Sequence, residues 1–320
     1  MTMGIVPRTP GDHAFTAESP YGTVVEPTYS GAQSFMRRRY SRDLKGVDVA
    51  VSGVPLDLAT SNRPGARFGP AAIRKASAQL AWGLPWPWTF NPFDRLAVID
   101  YGDCYFDSGH PEGIPREIEA HAGTILGAGV FMLTLGGDHF ISLPLLKAHA
   151  KAFGPLALVH FDAHSDTWRA EAGRLDHGTM FFHAVQEGLI DPRRSVQIGI
   201  RTHNDEAHGF TILDARRVLG NRPETTLSDI KKVVGNSKAY FTFDIDCLDP
   251  SAAPGTGTPV VGGLPTHLAL EIVRGLVDVD FVGGDVTEVA PVYDLGEITA
   301  LAAATIALEF LCLRAARKAR

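Results

Sequence analysis

Leu156-Ala157-Leu158-Val159-His160-Phe161-Asp162-Ala163-His164-Ser165-Asp166 passes without a break from a β-forming apolar run into a loop of hard metal ligands. A run of this kind suits a strand buried on both faces, as in a parallel sheet covered by helices. Ligands collect at the ends of such strands, because loops from neighbouring strands converge over the sheet edge. In an extended loop alternate residues point the same way, so Asp162, His164 and Asp166 can face one cavity while Ala163 and Ser165 point elsewhere.

Two further segments repeat the pattern. Gly136-Gly137-Asp138-His139 follows a strand-like run at 130–135, and Asp244-Ile245-Asp246 follows another at 239–243. More such runs stand at 47–54, 96–100, 196–200 and 279–282, and helix candidates lie at 69–80, 116–128, 143–153, 177–187, 266–277 and 297–316. This alternation predicts an α/β fold, a three-layer αβα sandwich with a mostly parallel central sheet. No Gly/Ser linker interrupts it, so residues 46–320 read as one catalytic domain. Residues 1–45, rich in Pro, Gly, Ser and Thr without periodicity, read as an N-terminal arm. Within that arm, Met36-Arg37-Arg38-Arg39-Tyr40 reads as a solvated face or a subunit contact rather than a nucleic-acid site.

Composition excludes several classes. A hydrophobic fraction of 45% over 320 residues is ample for a core. The formal net charge is −6, of which Asp162, Asp166, Asp244 and Asp246 supply four, leaving about −2 for the rest. Neither nucleic acid nor an acidic membrane is indicated as a partner. Cys104, Cys247 and Cys312 have no CxxC spacing and do not form a disulfide framework, which points to a reducing cytoplasm. The N-terminus lacks the apolar core of a signal peptide, and the apolar stretch at 301–308 is broken by Glu309, so a soluble protein is expected.

Singly, each acidic motif is weak, because an Asp-x-Asp in a loop is usually a turn or a helix cap. Together they are not, since carboxylates crowded at adjoining strand ends repel one another unless cations intervene. The candidate ligands are His139, Asp162, His164, Asp166, Asp244 and Asp246. With no thiolate and two imidazoles, the set suits Mn²⁺ first, with Co²⁺, Zn²⁺ or Fe²⁺ as substitutes. Six side chains serve two ions only if carboxylates bridge them, with the metals roughly 3.5–4 Å apart and a shared water as nucleophile. Asp138 is expected to orient His139, and His160, further back on the strand, to be a buried supporting residue.

These three motifs resemble the signatures of the ureohydrolase (arginase/agmatinase) family. The likeness extends through Gly65-Ala66-Arg67-Phe68-Gly69-Pro70, His177-Gly178-Thr179-Met180, Pro254-Gly255-Thr256-Gly257-Thr258-Pro259 and Thr287-Glu288-Val289-Ala290-Pro291. It is nearest to the bacterial agmatinase members, which hydrolyse agmatine to putrescine and urea. The resemblance implies an arginase-like fold and two Mn²⁺ per subunit. His139 and Asp166 would hold one ion, His164 and Asp246 the other, and Asp162 and Asp244 would bridge both. It further implies that Glu288 holds the substrate guanidinium, that His177 shuttles a proton to the departing amine, and that Asp166 steadies the nucleophile and accepts its proton. Relatives are commonly trimers or paired trimers, so a homo-oligomer (trimer or hexamer) is the expectation.

Substrate choice falls to loops at 167–176 and 202–209. The pattern with which arginases grip an α-amino acid head is not intact, although Asn204 could imitate part of it. Asp205 and Glu206 would suit the ammonium of agmatine, whereas Arg169 or Arg174 would suit the carboxylate of a guanidino acid such as 4-guanidinobutyrate or 3-guanidinopropionate. A silent amine-binding regulator or a one-zinc deacetylase on a related scaffold would lack part of the ligand set. None of it is missing. The aromatic cluster Trp82, Trp86, Trp88 and Phe90 reads as a packed loop in preference to a lining of the active-site mouth.

Overall fold

Each strand-like run of the sequence forms a strand, and nearly every residue in them is buried. The computed structural model describes residues 11–319, so the first part of the expected arm lies outside the described residues. One sheet contains β1 (Val49–Val54), β2 (Val98–Asp103), β3 (Phe131–Gly136), β4 (Ala157–Phe161), β5 (Val196–Ile198), β6 (Thr211–Leu213), β7 (Lys238–Asp244) and β8 (Asp280–Thr287). Their order is β2-β1-β3-β8-β7-β4-β5-β6, and every pairing is parallel. β6 is not evident in the sequence. It is three residues long and only partly buried, so it carries little apolar signal.

Alternate residues along the strands feed two separate cores. Val49, Val51, Leu133, Leu135, Val159 and Phe161 pack against the helices Gly69–Ser77, Thr266–Arg274 and Ile298–Lys318. Ala50, Met132, Leu158 and Tyr240 face the helices Ile114–Gly127, Ser142–Phe153 and Met180–Gln186 on the opposite side. The result is the expected three-layer sandwich. Each fully buried Val, Leu or Ile contributes roughly 1.5–3 kcal/mol. Ile298–Lys318 is long and apolar enough to cross a membrane, yet here it is the central core helix. Its Glu309, 2% exposed, is held by Arg274 and by the Trp88 indole N–H at 2.6 Å. Trp82 donates to the Glu26 carbonyl at 2.8 Å, so the aromatic segment is a packed loop from which Trp86 projects.

The basic segment departs from expectation. Arg37 and Arg38 are 1% and 2% exposed, and Phe35 and Met36 lie in the core. Arg37 donates to the carbonyls of Ala32 (2.7 Å), Ser30 (2.5 Å) and Pro27 (3.0 Å), while Arg38 donates to Gly22 (2.8 Å) and stacks on the Phe93 ring. Those arginines organise the arm from within; they are not a solvated face. A guanidinium can satisfy several carbonyls at once, which lets an irregular segment be buried without orphaned backbone groups. Asp100 completes the anchor by accepting from the Phe35 amide at 2.7 Å and from Arg74.

The topology has one consequence for chemistry. β3, β8, β7 and β4 are adjacent in space, although β4 and β8 are separated by more than a hundred residues of chain. Their carboxyl ends deliver His139, Glu288, Asp244 with Asp246, and Asp162 through Asp166 to one place. Register aligns them further, pairing Phe161 with Phe243 and Asp244 with Thr287.

Candidate active site

Local hydrogen bonding shapes each ligand loop before any ligand binds. Asp162 accepts from the His164 amide through Oδ1 (2.5 Å) and from His160 Nε2 through Oδ2 (2.7 Å). Asp244 accepts from the Asp246 amide at 2.8 Å, which folds residues 245–247 into a short turn. Arg201 fixes the same turn from behind, donating to the carbonyls of Asp246 (2.6 Å), Cys247 (3.2 Å) and Leu248 (3.2 Å). Asp166 and Glu288 have positive φ (51° and 64°), a backbone region that costs a non-glycine residue of order 1 kcal/mol or more. Strain of this kind is retained where a side chain must be aimed.

The ligand atoms converge in two groups. His139 Nδ1 lies 3.1 Å from Asp162 Oδ2, 3.1 Å from Asp166 Oδ2 and 3.2 Å from Asp244 Oδ2. His164 Nδ1 lies 3.3 Å from Asp162 Oδ1 and 3.0 Å from Asp246 Oδ2. Asp162 thus turns one oxygen toward each group, as a bridging carboxylate must. All six sequence-predicted ligands meet here, and five of them are at most 4% exposed.

The tautomer of His139 tests whether cations fit. Thr242 donates its hydroxyl to Asp285 Oδ1 at 2.5 Å, so at 2.7 Å it must accept from His139 Nε2–H. Nδ1 is then the ring atom turned, buried and without a hydrogen-bond partner, toward three carboxylate oxygens. Burial disfavours charge on His139, yet Asp162, Asp166 and Asp244 outweigh it and raise the imidazole well above its ordinary value, so this point calls for positive charge, which a proton on Nδ1 or a divalent cation can supply. Titration has the same cause. Burial and the charge of Asp162 push Asp166 up to about 7, and burial with Asp246 and Asp162 raises Asp244 well above the carboxylate range. Burial opposes a charged His164, yet Asp246 and Asp162 outweigh it and hold that imidazole up to about 12. The cluster draws in positive charge.

Asp138 does not orient His139. Its oxygens accept from the Phe140 amide (3.2 Å) and the Ala59 amide (2.9 Å), so it caps its own turn and ties down the 57–65 loop. The orienting carboxylate is Asp285, acting through Thr242 and also accepting from Tyr240 and Ser142 at 2.8 Å. His160 is the buried supporting residue expected of it: one nitrogen meets Asp162 and the other Gln197 at 3.1 Å. His149, on the helix Ser142–Phe153, is fully buried and bonds the Leu145 carbonyl at 2.8 Å.

Above the ligands opens a cavity of ≈ 650 Å³, lined among others by Ser61, His164, Asp166, Trp168, His177 and Asp244. His177 Nδ1 lies 2.8 Å from Glu288 Oε1, which also accepts from the His139 amide at 2.9 Å. Glu288 is 1% exposed and lies against His177, with Oε2 buried and free of any hydrogen-bond donor. Burial disfavours charge on His177, but the hydrogen bond and charge of Glu288, helped by Asp166 and Asp138, prevail and raise its pKa to about 9.

Asn204 does not reach this cavity. Its amide donates to Ser165 Oγ (2.8 Å) and Thr167 Oγ1 (3.0 Å), and it lines a neighbouring hollow, so the substrate-binding reading does not fit its position. At the mouth, Arg169 is bound by Glu206 at 2.8 Å and Arg174 by Asp176 at 2.9 Å. Asp205 is exposed and paired with His203. Sequence reasoning passes over Ser61, Thr242, Gln197, Arg201 and Asp285. Only Thr242 carries a signal, standing two residues before Asp244 on the same strand phase.

Comparison with known proteins agrees with this geometry. The sequence pattern described as the Arginase family matches residues 47–313. An agmatinase of Chromobacterium violaceum is 59% identical over 310 residues, covering 96% of each chain. The crystal structure of a hypothetical agmatinase from Burkholderia thailandensis is 60% identical, with a TM-score of 0.96 over 97% of this chain and 99% of that one. Proclavaminate amidino hydrolase from Streptomyces clavuligerus is 40% identical, with a TM-score of 0.85 over 91% of this chain and 100% of its own.

Proposed function

The chain belongs to the arginase family, and on that premise we propose that it hydrolyses agmatine to putrescine and urea at a pair of divalent cations. The observation that carries the metal chemistry is the buried, unpartnered Nδ1 of His139 facing Asp162, Asp166 and Asp244. His139 and Asp166 would hold one ion and His164 and Asp246 the other, with Asp162 and Asp244 shared. Manganese is the proposed metal, because the donor set is carboxylate-rich and the adjacent Cys247 thiol is buried and turned toward the Ile198 carbonyl at 3.5 Å. When bound, the pair supplies Lewis acidity that activates water near neutral pH.

The protein's own groups do the rest. Glu288 keeps a free oxygen for the guanidinium, while its other oxygen is fixed by the His139 amide and by His177. Asp166, beside the shared ligands, is suited to take a proton from the nucleophile, and His177, whose charge Glu288 favours, to return one to the departing amine. The mouth gives a carboxylate tail no advantage, since Arg169 and Arg174 are already neutralised by Glu206 and Asp176 and do not offer it a free guanidinium. We also place the protein in the cytoplasm as a homo-oligomer; three buried free thiols are consistent with the former.

Urea release from agmatine, arginine, 4-guanidinobutyrate and 3-guanidinopropionate, measured with purified protein after manganese loading, tests the substrate. Agmatine should lead by at least an order of magnitude in kcat/KM. A guanidino acid turned over faster than agmatine would overturn the substrate reading, and one metal per chain at full activity would overturn the centre.

A further inference from the structure

We propose that Ser61 is a catalytic residue, the hydroxyl through which His177 delivers a proton to the departing nitrogen. This rests on the hydrolytic reading above. His177 uses Nδ1 on Glu288, so any proton it gives up must leave from Nε2. Nε2 is met by Ser61, with Oγ at 2.8 Å and the backbone amide at 3.0 Å. The amide can only donate, so this geometry is that of the neutral ring with Nδ1–H on Glu288, the state the relay ends in; it starts from the protonated ring, whose Nε2–H is directed to Oγ. The hydroxyl can accept from Nε2 and donate onward in one concerted shift, and Ser61 is on the cavity wall where a substrate would lie.

The loop that presents Ser61 is built for position. Thr60 donates to the Asp57 carbonyl at 3.1 Å, the Ala59 amide to Asp138 at 2.9 Å, and Asn62 to the Gly257 carbonyl at 3.0 Å. Asp57 closes the loop by accepting from the Gly65 amide at 2.8 Å and pairing with Arg67. Ser61 is therefore held from both sides. The backbone amide aimed at Nε2 also weakens the hold of His177 on its second proton, opposing the pull of Glu288, which favours release toward Oγ.

The step balances. As the C–N bond breaks, its electron pair goes to the departing nitrogen, which takes the Ser61 hydroxyl proton. Oγ takes the proton of His177 Nε2. Serine is regenerated, His177 is left neutral with Nδ1–H on Glu288, and the amine departs.

The test compares wild type, Ser61→Ala and Ser61→Thr, each confirmed to carry the same metal content. Substrates are agmatine and its oxyguanidine isostere, in which oxygen replaces the methylene next to the guanidinium so that a weakly basic alkoxyamine departs. Ser61→Ala should lower kcat on agmatine about 10- to 100-fold with KM changed little, and should lower kcat on the isostere by less than about threefold. Ser61→Thr, which keeps the hydroxyl, should stay within about fivefold of wild type on both. Equal losses on the two substrates, or no loss on agmatine, would overturn the relay and reduce Ser61 to a prop for His177. Wild type inactive on both would sink the agmatine reading and the relay with it; an active wild type with an indifferent Ser61→Ala sinks the relay alone.

Discussion

The floor of the cavity and its mouth are built on opposite terms. On the floor, His139, Asp162 and Asp246 are at most 1% exposed, and each is fixed by hydrogen bonds to the sheet or to its own turn. At the mouth, Arg169 and Glu206 have side chains 68% and 44% exposed and hold chiefly each other. A buried charge cluster is rigid because any misplaced member is costly, whereas an exposed ion pair is worth about 0–1 kcal/mol and can be exchanged. Chemistry is therefore set by the sheet, and tail selection by loops that can change without disturbing it.

The largest effect expected from breaking this contrast is at the shared ligand. Asp162→Ala should abolish binding of both metals and lower turnover by about 10³-fold or more, equivalent to roughly 4 kcal/mol of lost transition-state stabilisation. Metal analysis alongside urea release checks it, and retention of two ions would show that Asp162 does not bridge. Next is Glu288→Gln, which leaves every ligand in place but removes the charge that meets a guanidinium. kcat/KM for agmatine should fall about 10- to 100-fold with metal content unchanged, the range of a lost charge-assisted hydrogen bond. Metal loss in that variant would assign Glu288 to the floor's scaffolding.

Thr242→Val cuts the link between His139 and Asp285 while keeping the volume of the side chain. Metal affinity measured by competition with a chelator should weaken about 10- to 100-fold, as for other groups that orient a ligand. An unchanged affinity would mean that packing alone orients His139. The smallest effect belongs to the mouth. Glu206→Gln should alter kcat/KM for agmatine by less than about threefold and leave the melting temperature essentially unchanged. A tenfold loss would show that the mouth tolerates change no better than the floor does.

Legibility in the sequence follows the same division. The candidate ligands are readable because they follow apolar strands and five of the six sit at alternating positions, a pattern with few other causes. Thr242 and Asp285 are not, since a polar residue inside a strand signals nothing until its partner is known, and that partner is 43 residues away. Asp138 misleads because sequence adjacency to His139 suggests contact, whereas a cap residue turns its carboxylate back onto its own turn. Arg37 and Arg38 look solvated because three consecutive arginines usually are; their burial comes from carbonyls of the arm that only folding brings within reach.

Strand-and-helix alternation and the six candidate ligands were determined by the chain itself, because hydrophobic periodicity and side-chain chemistry are local properties. Which strands would be neighbours was decided only in three dimensions. Placing β8 between β3 and β7 sets Glu288 against His177 and carries Asp285 to Thr242, and the closing of the 57–65 loop sets Ser61 against Nε2. Contacts of this kind join residues far apart along the chain, and their geometry depends on register and packing, which no single stretch of sequence contains.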